Sequence, residues 1–166
     1  MLIWSTLSSI RPSCGHTRRH RVLKKKHGEQ ALGRSRGGFS TKIHIAVDAL
    51  GNALRFILSG GERHDVTQAE SLVGDFVFET LIADKAYDKD EFVESVTAVG
   101  KQVVIPPRGN KRKQRGYDKH LYRERHLVEC FINKIKHFRR VFSRFEKLSK
   151  NYLSFIHLVR SLIWLR

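Results

Sequence analysis

Apolar and polar residues alternate over residues 41–48, with Ile43, Ile45 and Val47 on one side and Lys42 and His44 on the other. A period of two predicts a half-buried strand. The turn chemistry of 49–52 (ALGN) separates it from a second run at 53–60, so the two form a predicted hairpin. Residues 65–73 open on an aspartate in N-cap position and predict a short helix. Residues 78–84 (FETLIAD) are apolar without alternation, as a strand covered on both faces should be. A helix over 88–100 follows, with Phe92, Val93, Val96 and Val99 inward and Gly100 as its stop. Residues 102–107 (QVVIPP) form a short strand closed by prolines. Strand, helix, strand over 80–105 is a parallel crossover unit, and with the hairpin it implies a mixed sheet with helices packed on it. Residues 108–116 form a basic loop, and helices occupy 119–138 and 149–165.

The N-terminal segment is different. Residues 1–31 have no clear period and read as irregular or disordered, leaving 32–166 as the folded domain. The basic, glycine-rich stretch 33–38 (GRSRGG) is either a hinge before a strand or a phosphate contact through Arg34 and Arg36.

Charge sharpens the picture. The chain of 166 residues carries 32 Lys+Arg against 16 Asp+Glu, a formal +16, which points to a polyanionic partner, nucleic acid before an anionic membrane surface. The distribution is uneven: residues 1–40 are strongly basic, 41–100 net acidic, and 101–166 strongly basic again. An acidic middle does not suit a protein that only coats DNA, unless cations sit between acid and phosphate. Cys14 and Cys130 have no metal-site spacing and suggest reduced thiols. No apolar run reaches the roughly 18–20 residues of a membrane span.

Asp84 ends the apolar strand, where open α/β sheets gather functional groups; the plainer alternative is a cap for the next helix. On the helix 119–138, Tyr122, Arg125, Glu129 and Lys136 share one face at about 100° per residue. Leu127, Val128, Phe131, Ile135 and Phe138 form the core stripe opposite. The plainer alternative for Glu129 is an i,i+4 ion pair with Arg125 on a solvated face. Together, Asp84 and Glu129 could share Mg²⁺ or Mn²⁺, and two ions about 3.5–4 Å apart suit phosphodiester chemistry. Tyr122, Arg125 and Lys136 would then hold phosphates.

The stretches LGRSRGGFSTKIHIAVDALGNALRF, LIADKAYD and YDKHLYRERHLVECFINKIKHFRRVFSRFEK resemble the DDE transposases of bacterial insertion sequences, in the insertion sequence four and five groups. The signature of those enzymes is Tyr, two residues, Arg, three residues, Glu, six residues, Lys. It falls here on Tyr122, Arg125, Glu129 and Lys136 without a gap. The resemblance runs from about Leu32 to the C-terminus. It implies a ribonuclease-H-like fold, Asp84 and Glu129 as second and third catalytic acids, and two divalent ions in an intact site. It implies DNA as partner, both element ends and target, with Arg139 and Arg140 joining the DNA-binding residues. A bacterial cytoplasmic, nucleoid-associated location follows, with no membrane, and a homo-oligomer or association with intact transposase.

The family's first Asp stands in an Asp-Ser-Thr-like motif on the first strand. The nearest echo here is Trp4-Ser5-Thr6, and indole cannot ligate Mg²⁺. Asp48 and Asp65 are possible substitutes, but as a turn residue and an N-cap they have plainer roles. The fold is therefore expected to be incomplete at the first strand and to lack the N-terminal DNA-binding region. Resemblance fades upstream of Lys24-Lys25-Lys26, which suggests a truncated or frameshifted copy with impaired activity. The alternative is a non-catalytic, basic DNA-binding fragment that inhibits or partners intact transposase.

Overall fold

The computed structural model describes residues 1–10, 29–112 and 114–165. The lysine run at 24–26, Cys14 and Lys113 lie outside the described residues, as does the expected irregularity of 11–28.

Six strands form one mixed sheet: β1 (Leu2–Ile10), β2 (Gly33–Ser35), β3 (Gly38–Val47), β4 (Ala53–Gly60), β5 (Thr80–Ala83) and β6 (Gln102–Val104). Their order is β2-β3-β1-β5-β6, with β4 also paired to β3. The helices are α1 (Ala69–Val73), α2 (Asp90–Ala98), α3 (Lys119–Tyr122), α4 (His126–Lys136), α5 (Arg139–Phe142) and α6 (Ser149–Trp164). This mixed sheet with helices around it has the α/β, ribonuclease-H-like character expected from the sequence.

The largest correction concerns the first strand, which is present. Leu2, Ile3 and Trp4 pair in parallel with Leu81, Ile82 and Ala83 of β5. Serines and a threonine in β1 blur any local alternation, so the ladder to β5 rather than local pattern makes this a strand. Arg34 and Ser35 are likewise not in a hinge. They belong to β2, which turns back antiparallel on β3 with Arg34 opposite Phe39. The helix expected over 119–138 is interrupted by a 3₁₀ turn at Arg123–Arg125 and ends at Lys136. Asp65 does not cap a helix. It is the first residue of a 3₁₀ turn, Asp65–Gln68, that leads into α1.

The chain divides into two compact units. The first comprises Met1–Thr6, His44–Ile57 and His64–Ile132. Its core gathers Leu2 and Trp4 from β1, Ala46 from β3, Leu81 and Ala83 from β5, Tyr87, and Phe92, Val93 and Val96 from α2. The crossover helix thus packs on the parallel strands it connects. At the β3–β4 hairpin Gly51 adopts φ +81°, a left-handed conformation that glycine enters without a Cβ penalty. Asp48 staples that turn, accepting from the Leu50 amide at 2.8 Å, the Asn52 amide at 2.9 Å and the Asn52 side chain at 3.1 Å.

The second unit comprises Leu7–Ile43, Leu58–Arg63 and Asn133–Arg166. Arg144, at φ +33° and buried, organises it. Its guanidinium donates to the carbonyls of Gln30, Ala31, Glu146 and Lys147 and to the Thr41 hydroxyl. It also lies 4.9 Å from the centre of the Tyr152 ring. All its described partners are neutral, and burial lowers its pKa from the ordinary value.

Candidate active site

Asp84 follows β5 in extended conformation and precedes a 3₁₀ turn over Lys85–Tyr87. Its side chain makes no capping hydrogen bond, so the helix-cap alternative fails. The turn drives Tyr87 into the core, fully buried. There its hydroxyl meets Thr6 Oγ1 at 2.6 Å and His44 Nδ1 at 2.9 Å, while Thr6 and His44 are themselves 3.0 Å apart. Burial raises the Tyr87 pKa strongly, and the carboxylates of Asp65 and Asp84 push it further up.

The segment bearing Tyr122 and Arg125 packs against β5. Burial raises the Tyr122 hydroxyl, Arg125 opposes that, and Asp84 adds to it. Burial alone would lower the Arg125 guanidinium, but Tyr122, Glu129 and Asp84 together outweigh it and raise it. Arg125 Nη2 donates to Glu129 Oε1 at 2.6 Å and lies 5.6 Å from the Tyr122 ring centre, which in turn meets Tyr117 edge-on. Arg125 thus bonds Glu129, and Asp84 adds to the upward shift of its guanidinium.

The remaining sequence candidates fall in two groups. Asp48 has both oxygens engaged in its turn. Arg34, Arg36, Lys136, Arg139 and Arg140 are all exposed and belong to the second unit, where Lys136 donates to the Asn133 side chain at 3.0 Å. Cys130 is an exposed free thiol.

One residue escaped the sequence reading. Asp88, taken as the opening of a helix, is buried and accepts three hydrogen bonds. They come from the Arg108 amide at 2.8 Å, Lys111 Nζ at 2.9 Å and Arg115 Nη2 at 2.8 Å. Burial alone would raise its pKa; the bonds from Lys111, Arg108 and Arg115 prevail and hold it below the ordinary value. Its partners stand 20 to 27 residues downstream, a separation that leaves no periodic trace in sequence.

A model of the family described as the transposase DDE domain matches residues 6–147. The chain belongs to that family. A Brucella ovis protein named as a transposase for insertion sequence element IS6501 is 38% identical over 131 residues, covering 76% of this chain and 99% of the relative. No solved structure matches.

A DDE domain implies divalent metal, and the residues present can be tested against that need. Trp4 is fully buried and in register with Ala83, the neighbour of Asp84. Its ring packs against Tyr87 at 5.7 Å and Phe92 at 5.9 Å. The indole Nε1 has no hydrogen-bond partner among the described residues. Among those residues no group of three or more His, Cys, Asp or Glu side chains could hold a metal ion. The donor set of this DDE domain does not fit the two-ion site of its family. No helix among the described residues is long and apolar enough to cross a membrane.

Proposed function

We propose that this insertion-sequence transposase domain binds DNA, both element ends and target, but has lost most of its strand-cleaving and strand-transfer chemistry. The observation that carries the reading is Trp4. A buried indole, packed on Tyr87 and Phe92, occupies the strand position where the family resemblance calls for the first metal-binding acid. Cleavage and transfer are in-line displacements at phosphorus that depend on positioning and charge stabilisation. Asp84 and Glu129, which both raise the Arg125 pKa, keep two of the three expected acids. Tyr122 and Arg125 beside them, and Lys136, Arg139, Arg140, Arg34 and Arg36, remain available to phosphates.

A second reading follows from the same loss. A domain that retains its cationic groups without the full acid set would occupy element ends and inhibit, or assemble with, intact transposase. A changed reading frame upstream of Lys24 accounts for the missing acid; absence of Asp-Ser-Thr codons in both other frames there would exclude it.

The experiment is a nicking assay on plasmid DNA carrying element ends, with Mg²⁺ or Mn²⁺. The chain is compared with Asp84→Ala and Glu129→Ala. Salt-sensitive DNA retention, with nicking no higher than in either variant, is the expected result. Metal-dependent nicking that disappears in both variants would show an active enzyme and overturn it.

A further inference from the structure

Residues 105–116, IPPRGNKRKQRG, carry five cationic side chains in twelve residues. Such a run ordinarily repels itself and stays solvated. Here it is folded and anchored. The buried Asp88 carboxylate gathers the Arg108 amide, Lys111 and Arg115, and Lys111 also reaches Asp90 at 2.6 Å. Gln114 closes the loop on itself by donating to the carbonyls of Arg108 and Lys111. The Arg108 guanidinium donates to the carbonyls of Lys85 at 3.2 Å and Ala86 at 2.8 Å. Those carbonyls belong to the turn that immediately follows Asp84, so the loop and the strand-tip acid are held by one hydrogen-bonded assembly.

Two features of this loop call for an anion from outside. Among the described residues Arg108, Lys111, Arg112 and Arg115 meet only two partner acids, Asp88 and Asp90, which leaves a positive surplus. Arg112 is exposed and makes no ion pair among the described residues. An exposed guanidinium on a fixed backbone suits the paired oxygens of phosphodiesters. A mobile loop would lose entropy on binding; this one is already ordered.

We infer that the described residues of 105–116 form a preorganised cradle for the phosphate backbone of duplex DNA, shaped by Asp88 and contacting DNA through Arg112. This rests on the reading of the chain as a DNA-binding transposase domain.

The test measures binding of the full chain to a labelled duplex of arbitrary sequence across a salt series. Arg112→Ala is compared with Lys101→Ala. Lys101 sits just before β6, at the opposite end of that strand from the loop, so both variants lose the same charge. The expected result is a slope of log K against log salt shallower by about 0.9 for Arg112→Ala, with Lys101→Ala close to the unmodified chain. As a second measurement, duplex should slow amide exchange within 108–115 in the unmodified chain. Equal slopes for the two variants, with exchange in the loop unchanged by duplex, would overturn the cradle while leaving DNA binding intact. Absence of any duplex binding by the unmodified chain would overturn both it and the functional reading beneath it.

Discussion

Replacing Asp88 by Asn keeps the shape of the side chain and removes its charge. The carboxylate is 0% exposed, while Lys111 and Arg115 are 21% and 31% exposed. Hydrogen bonds to charged groups contribute about 1.5–3 kcal/mol each. Water reaches the two cations in the variant and offsets part of the loss, and the Arg108 amide can still bond an Asn oxygen. The net cost of Asp88→Asn at neutral pH is then about 2–4 kcal/mol. For a chain of this size that lowers the thermal midpoint by about 5–15 °C. The pH dependence has a definite sign. The carboxyl is held below its ordinary 3.8 in the fold, so its contribution is complete above that value and is lost as pH falls through the folded pKa. Thermal unfolding followed by circular dichroism, at pH 7 and in steps down to about pH 2, reads both effects. The gap between chain and variant should narrow on acidification. A gap under about 1 °C at pH 7, or one that widens in acid, would refute the role assigned to Asp88.

Trp4→Asp should not restore cleavage. It removes a buried aromatic and places a carboxylate among Tyr87 and Phe92, costing at least about 3 kcal/mol in denaturant unfolding; recovered metal-dependent nicking with unchanged stability would contradict this. Arg144→Lys loses the forked geometry that reaches four carbonyls and Thr41, and is expected to cost about 3 kcal/mol by the same measurement.

The sheet's hairpin and crossover were legible because their signals are local. Ile43, Ile45 and Val47 alternate, Gly51 marks the turn, and the apolar 80–83 run is followed by an amphipathic helix. α6 was legible to within a residue of its end. β1 was not, because Ser5, Thr6, Ser8 and Ser9 give no apolar rhythm and only pairing with β5 defines it. The 3₁₀ turn at Arg123–Arg125 was hidden by helical spacing that suits either geometry. In the site, the Arg125–Glu129 pair follows from i,i+4 spacing and the Asp84 tip from strand length. The Asp88 anchor and the Thr6–His44–Tyr87 contacts join residues 20 to 81 positions apart, and no pattern along the chain announces them.

The interleaving of the two units has a consequence for synthesis. Arg144 binds the Ala31 carbonyl across 113 residues, and Ser149 binds the Glu29 carbonyl across 120. At roughly 5–20 residues per second, a ribosome needs about 6–24 s to make that stretch. Early carbonyls wait all that time for their donors, and a stop codon anywhere before Arg144 releases a polypeptide unable to close half of itself.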